Sequence, residues 1–238
     1  MDVSLVDYGA GNLASVIKAL RIVGAEVRVA AEPGALNRAR AIVIPGVGHF
    51  ESTRTLDDLW RQAVRARIEA GSAVLGICLG MQWLFDGSEE APDLPGLGVF
   101  PGRIVRFREK TSGVFFGPVQ NTEEIPQKER RRVSFSPKKT PDVFSGVKVP
   151  HVGWNTLDRT PAPSRWLTSI PAGAYAYFTH SYAAPVTPDT VATTTHGLTF
   201  ASVVEHGRVC GAQWHPEKSG ETGLSLLERF IAIAGEDA

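Results

Sequence analysis

The segment Gly76-Ile77-Cys78-Leu79-Gly80, entered from the apolar run Ala73-Val74-Leu75, constrains this chain more than any other stretch. An apolar run that ends at a glycine-flanked residue before helix-compatible sequence predicts a strand turning sharply into a helix. That corner is the geometry of a nucleophile elbow, which lifts one reactive side chain out of the packing. Glycine relieves backbone strain at such a corner, and the start of a helix favours a thiolate. A cysteine after an apolar run is otherwise a small buried hydrophobe, and on these residues alone both readings of Cys78 stand. For Cys210, in Val209-Cys210-Gly211-Ala212, the buried reading is the expectation.

The flanking sequence supplies layers for that corner. Val3 to Val6 reads as a short strand and Gly9-Ala10-Gly11-Asn12 as a turn. Leu13, Val16, Ile17 and Leu20 then form one helix face, stopped by Gly24. Glu26 to Val29 alternates like a half-exposed strand, whereas Ala41 to Ile44 reads as a buried one. Leu56, Trp60, Ala63, Val64 and Ile68 mark a second helix face before Gly71. Tyr175 to Tyr182 and Val209 to Trp214 look like later strands, and Leu224, Leu227, Ile231 and Ala234 give a closing amphipathic helix. Strands separated by helices predict an α/β fold, a mostly parallel central sheet with helices on both faces. Sites in such sheets gather at the carboxyl ends of strands. Gly9 to Asn12, Pro45-Gly46-Val47-Gly48 and Cys78-Leu79-Gly80 all fall there.

A chain of 238 residues can bury a sizeable core. Lysine plus arginine equals aspartate plus glutamate at 25 each, so no global charge draws it to nucleic acid or a lipid surface. Two cysteines are too few for a disulfide scaffold, and neither has zinc-site spacing, so no metal is expected. No apolar run approaches the roughly 18 residues of a membrane span, and the N-terminus lacks a signal-peptide layout. A soluble, reducing, cytoplasmic setting is the expectation. From about Glu109 to Lys148 hydrophobic periodicity disappears, and Lys128 to Lys139 carries six basic residues against Glu129 alone. This stretch reads as an insertion, with Val114-Phe115-Phe116 and Val133-Ser134-Phe135 as candidate hairpin strands. A solvated excursion explains its charge better than a phosphate or nucleic-acid site.

A thiol near pKa 8.5 is only a few per cent ionised at neutrality, so a nucleophilic Cys78 needs a base or a positive field. Six histidines compete for that role, and only His215 has a carboxylate two residues on, Glu217, with Pro216 stiffening the link. In an extended segment the two side chains share a face, so Glu217 could orient His215 and complete a triad. His180 is the runner-up, while His196 and His206 sit beside glycines in expected turns. Acyl transfer also needs oxyanion donors. The Leu79 amide is one candidate, and the Pro45-Gly46-Val47-Gly48 loop could supply a second unless it is an ordinary Pro-Gly turn.

Taken together, several strings in this order are recognisable. Gly76 to Gln82, Pro45 to Gly48 and His215-Pro216-Glu217 resemble the triad (class I) glutamine amidotransferases. Asp7 to Leu13, Ser88-Glu89-Glu90, His151-Val152-Gly153-Trp154-Asn155, Phe178 to Tyr182 and Gln213 to Ser219 narrow the resemblance. They are similar to the glutaminase subunits of imidazole glycerol phosphate synthase, which serve histidine biosynthesis. The resemblance implies a flavodoxin-like fold, one domain over 1–238 with an insertion at about 109–148, and no cofactor. It implies that Cys78 attacks L-glutamine, with His215 as base, Glu217 as its support, and Leu79, Val47 and Gly46 at the oxyanion. It assigns Gln82, Glu90, His180, Ser181 and Tyr182 to the bound glutamine. It places Asn12, Trp154, Tyr177 and Lys218 against a separate cyclase subunit that receives the ammonia. Core packing for Trp154 and a solvated charge for Lys218 are the plainer alternatives. Two departures stand out, the long 109–148 stretch and His49, a larger polar group than expected beside the oxyanion loop. Rival readings are a triad amidotransferase of another pathway, a non-catalytic regulatory relative, and a cysteine peptidase or glutamyl hydrolase.

Overall fold

The computed structural model describes residues 1–107 and 148–236. The chain divides into Met1–Phe107 with Val149–Ala238 as one compact unit and Arg108–Lys148 as the other. The candidate strands at Val114 and Val133 lie outside the described residues. In chain order the elements are β1 (Asp2–Val6), α1 (Leu13–Ile22), β2 (Glu26–Ala30), β3 (Ala41–Ile44), α2 (Asp58–Glu69), β4 (Ala73–Ile77) and α3 (Leu79–Trp83). Three short strands follow, β5 (Gly87–Ser88), β6 (Ala91–Pro95) and β7 (Arg103–Arg106). After the undescribed stretch come β8 (His151–Arg159), β9 (Ala174–His180), β10 (Tyr182–Ala183), β11 (Thr190–His196), β12 (Leu198–His206), β13 (Val209–Ala212) and α4 (Gly220–Gly235).

Among the described residues the main sheet has nine strands in the order β2-β1-β3-β4-β13-β12-β11-β8-β9. Its first five strands are parallel, with Val43 opposite Leu75 and Gly76 opposite Gly211. The remaining pairings, from β13 outward to β9, are antiparallel. The sheet therefore runs parallel through β13, one strand past the elbow strand β4, and antiparallel beyond it.

Alternation along each strand builds two separate cores. Val3, Leu5, Val43 and Leu75 point one way and pack with Val16 and Leu20 of α1 and Leu227 and Phe230 of α4. Val6, Ile42, Ile44 and Val74 point the other way, onto Trp60 and Val64 of α2 and the residues of α3. Helices thus cover both faces, as the pattern of apolar residues requires. Helix α2 begins one turn later than its apolar stripe suggests. Leu56 closes a short 3₁₀ turn, and the Asp57 carboxylate caps α2 by accepting from Leu59 and Trp60 N–H groups at 3.0 and 3.2 Å.

The corner at Cys78 follows from how closely β4 and α3 pack on β3. A Cβ at Gly80 would overlap the Ile44 carbonyl, so only glycine lets the helix start there. A second, four-stranded sheet in the order β10-β7-β5-β6 forms a wall beside this corner. It carries Glu90 in the β5–β6 turn and Tyr182 on β10.

Candidate active site

Cys78 itself adopts φ 51°, ψ −105°, a left-handed conformation rare for a non-glycine residue. It is 5% exposed and lines a cavity of about 430 Å³, together with Leu79, Gln82, Glu90 and the Thr179–Tyr182 segment. Its Sγ lies 3.6 Å from Gln213 Nε2 and 4.0 Å from the Thr179 carbonyl.

His215 follows β13, buried behind the thiol. Its Nδ1 is 2.8 Å from Glu217 Oε1, and both side chains are almost fully enclosed, 1% and 3% exposed. The sequence argument for this pair assumed an extended segment, but Pro216–Lys218 forms a 3₁₀ turn. Proline at the first turn position brings the carboxylate round to the ring instead. The main chain around His215 is tied to β9: its N–H donates to the Tyr177 carbonyl, and Ser219 Oγ bridges the His215 carbonyl and the Tyr177 N–H. Burial alone lowers the imidazole pKa. The charge of an ionised Cys78, a contact with it outside ordinary hydrogen-bond geometry, and Glu217 outweigh that and raise it to about 10.

The Pro45–Gly48 loop, expected at the oxyanion, is held from below. Tyr8, buried, donates its hydroxyl to the Pro45 carbonyl at 2.8 Å, and burial with the Cys78 charge pushes its pKa far up, so it remains a donor. A Cβ at Gly46 would overlap the Tyr8 hydroxyl. The Leu79 N–H donates to the Gly46 carbonyl at 3.4 Å. In this conformation the Gly46-Val47 peptide therefore presents its carbonyl, not an N–H, towards Leu79.

The expected glutamine-binding residues surround the cavity. Gln82 Nε2 donates to the Tyr182 carbonyl at 3.0 Å. Glu90 Oε2 accepts the Phe50 N–H at 2.8 Å, and its Oε1 stands 3.8 Å from His49 Nε2. His49 Nδ1 accepts the Glu51 N–H at 3.0 Å and so caps the Phe50–Thr55 turn. His180, the rival base, has both ring nitrogens engaged, Nδ1 with the Tyr182 carbonyl at 2.8 Å and Nε2 with His151 Nδ1 at 3.1 Å. Burial lowers its pKa to about 3 and that of His151 to about 4. His196, which ends β11 rather than sitting in a loose turn, stacks on His151 at 4.1 Å between ring centroids. The only other cysteine, Cys210, is sealed in the sheet with a pKa raised by burial.

The four residues expected at a partner surface fall into two kinds. Asn12 caps α1, accepting the Ser15 N–H at 3.2 Å. Trp154, 55% exposed, meets the Tyr177 ring edge-on at 6.0 Å, and Lys218 Nζ lies 5.8 Å over that same ring. Val152 and Tyr175 extend this exposed apolar stripe on the β8–β9 hairpin, and neither was expected there. Sequence reasoning also assigned no role to Tyr8, Gln213 or Ser219, none of which carries a chemical signature by itself. Among the described residues no cluster of His, Cys, Asp or Glu could hold a metal ion, and no helix is long and apolar enough to cross a membrane.

The family model described as glutamine amidotransferase class-I matches residues 4–234. A protein of Natronomonas pharaonis named imidazole glycerol phosphate synthase subunit HisH is 40% identical, over 97% of this chain and 94% of its own. The protein of the same name from Xanthomonas oryzae pv. oryzae is 39% identical, over 98% of both chains. Among solved structures, a glutamine amidotransferase crystal structure superposes with a TM-score of 0.66 at 18% identity, covering 98% of this chain and 99% of that one. The structure of PurLQS from Thermotoga maritima gives 0.63 at 16% identity and 97% coverage of each chain, a likeness of fold. By sequence over nearly its whole length, this chain belongs to the class-I glutamine amidotransferases and, among them, to the HisH subunits of imidazole glycerol phosphate synthase.

Proposed function

We propose that the chain hydrolyses L-glutamine through a thioester on Cys78 and delivers ammonia to a cyclase subunit, as the glutaminase of an imidazole glycerol phosphate synthase in histidine biosynthesis. One observation carries this most strongly: a left-handed Cys78 at the floor of a cavity, backed by a His215–Glu217 pair at 2.8 Å. In the proposed first step His215 takes the Cys78 thiol proton, and Glu217 together with the resulting thiolate charge holds that proton on the imidazole. Sγ attacks the side-chain amide carbon, and the C–N bond breaks as His215 returns that proton to the departing nitrogen. Water then gives a proton to His215, adds to the thioester carbon, and expels the thiolate with glutamate. The sum is glutamine plus water to glutamate plus ammonia. Glu217 keeps the ring in the tautomer this requires.

The oxyanion needs the Leu79 N–H, which Gly46 occupies. Turning the Gly46-Val47 peptide frees that donor and swings the Val47 N–H to the same side, because carbonyl and N–H belong to one plane. Glu90 pairs with the substrate α-ammonium, and Gln82 with the His180-Ser181-Tyr182 backbone lines the rest of the glutamine site. Ammonia gains a proton in bulk water and ceases to be a nucleophile, so its release is useful only against an acceptor site. The Trp154–Tyr177–Lys218 surface, with Val152 and Tyr175, suits a protein partner there, since exposed aromatic clusters mark such contacts. Asn12 belongs to the same interface. The chain is one cytoplasmic amidotransferase domain into which residues 109–148 are inserted. It uses no cofactor.

The test is glutamine hydrolysis measured with and without a cyclase partner carrying its ligand. The expected result is low activity alone and a large rise in the complex; equal activity in both contradicts the coupled role. Cys78→Ala is expected to abolish glutamine use while the complex still runs on ammonium salts. Glutamine hydrolysis surviving in that variant removes Cys78 from the reaction.

A further inference from the structure

Gln213, two residues before His215, has no exposed surface, although an amide costs free energy to bury unless its polar atoms are satisfied. Its Oε1 accepts from Gln82 Nε2 at 3.2 Å, and its Nε2 faces Cys78 Sγ at 3.6 Å. The orientation of both amides follows from the groups around them. The Tyr182 carbonyl can only accept, so the Gln82 atom that faces it at 3.0 Å is the nitrogen. The same nitrogen meets Gln213, which must therefore turn its oxygen that way. That leaves the Gln213 NH₂ group pointing at the sulfur. A main-chain carbonyl on β10 thus fixes the polarity of a contact to the nucleophile.

A thiol sulfur is a weak acceptor, whereas charge-assisted hydrogen bonds are roughly twice as strong as neutral ones. An N–H donor aimed at Sγ therefore favours the anion and limits its direction. His215 comes from the segment that follows Gln213 in sequence, but its Nε2 has no hydrogen-bond partner here, so the Gln213 amide supplies the side-chain donor that the sulfur meets. We propose that Gln213 is a catalytic residue of the glutaminase: its amide N–H donates to the Cys78 sulfur, holds it as the anion aimed into the cavity, and links it through Gln82 to the glutamine site. This rests on Cys78 being the nucleophile. It adds a donor that neither the triad nor the oxyanion loop supplies. The Gln82–Gln213–Cys78 chain also makes the nucleophile sensitive to the wall at Tyr182, because movement of that carbonyl releases Gln82 to reorient.

The experiment compares the parent with Gln213→Met, of similar length but without the donor, in complex with the partner. Alkylation of Cys78 by iodoacetamide, located by peptide mapping, is followed against pH alongside kcat and KM for glutamine. Loss of one hydrogen bond to an anion is expected to slow alkylation near neutral pH about tenfold. The rate–pH curve moves to higher pH with its upper plateau kept, and kcat falls by at least as much with little change in KM. A purely structural role would lower the plateau or raise KM and leave the curve's position alone. If Gln213→Met does not fold, Gln82→Met removes the group that orients Gln213, and the alkylation curve is expected to move the same way by less. Curves superimposed on the parent's overturn the proposal. Failure of Cys78 to react in the parent, or glutamine hydrolysis by Cys78→Ala, overturns the nucleophile reading instead.

Discussion

Cys78 holds its left-handed backbone because Gly80 can do what no other residue can, pass against the Ile44 carbonyl without a side chain. Gly80→Ala is therefore expected to push α3 off β3 and cost several kcal/mol, on the order of 3 or more, with glutaminase activity lost beyond the stability change. Denaturant titration and activity of the folded fraction check this together. The buried histidines make a second prediction. His151 and His180 titrate near 4 and 3 in the folded chain against an ordinary 6.5, so below 6.5 the unfolded state binds more protons. Stability must fall as pH drops from about 6.5 towards 3–4, by up to about 1.4 kcal/mol per pH unit for each ring. His215 acts at the other end: its pKa is raised to about 10, so its contribution is complete below 6.5 and is lost as pH rises through 10. Urea titrations across pH check both limbs; a flat acid limb contradicts the buried neutral pair. Cys78, His215 and Glu217 could be picked out in the sequence because their types and spacing carry chemistry. Gln213 and Ser219 could not, because an amide or a hydroxyl gains its role only from the neighbours that folding brings, Gln82 and the β9 main chain.

The strands and helices that were readable are those with one strong apolar face or with both faces apolar. α1, α2 and α4 show 3.6-residue stripes, and β3 and β4 are buried on both sides. The antiparallel partners β11 and β12 were missed, since a threonine-rich strand such as Thr190–His196 offers little contrast between its faces. The wall strands β5 and β10 are two residues each, too short for any period to show. Two elements bear testable consequences. Phe230 of α4 is fully buried and stacks on Trp166 at 6.0 Å, so Phe230→Ala is expected to cost about 3–5 kcal/mol in denaturation midpoint and slope analysis. On the β8–β9 hairpin, Trp154→Ala is expected to weaken partner binding at least about tenfold while leaving the chain's own fold intact, as read by calorimetric titration. Unchanged affinity would move the partner surface elsewhere.

In the proposed function, one sheet serves both the glutamine site and the partner surface. Its parallel half, β2-β1-β3-β4-β13, delivers the Pro45–Gly48 loop after β3, the Cys78 elbow after β4 and His215 after β13 to neighbouring strand ends. Its antiparallel half reaches outward to β8 and β9, whose Thr179 carbonyl borders the sulfur while Trp154 and Tyr175 stay exposed. Strand adjacency of this kind, with β13 seated beside β4, cannot be read from local pattern, because the paired residues Gly76 and Gly211 lie 135 positions apart with no recognisable repeat between them. The central claim is that the Cys78 sulfur becomes acylated during turnover. Rapid acid quench of the complex turning over glutamine, followed by mass spectrometry of the peptide bearing Cys78, tests it directly. A peptide carrying one glutamyl group on Cys78, formed and consumed at rates matching turnover, is the predicted result; turnover at full rate with Cys78 never modified contradicts it.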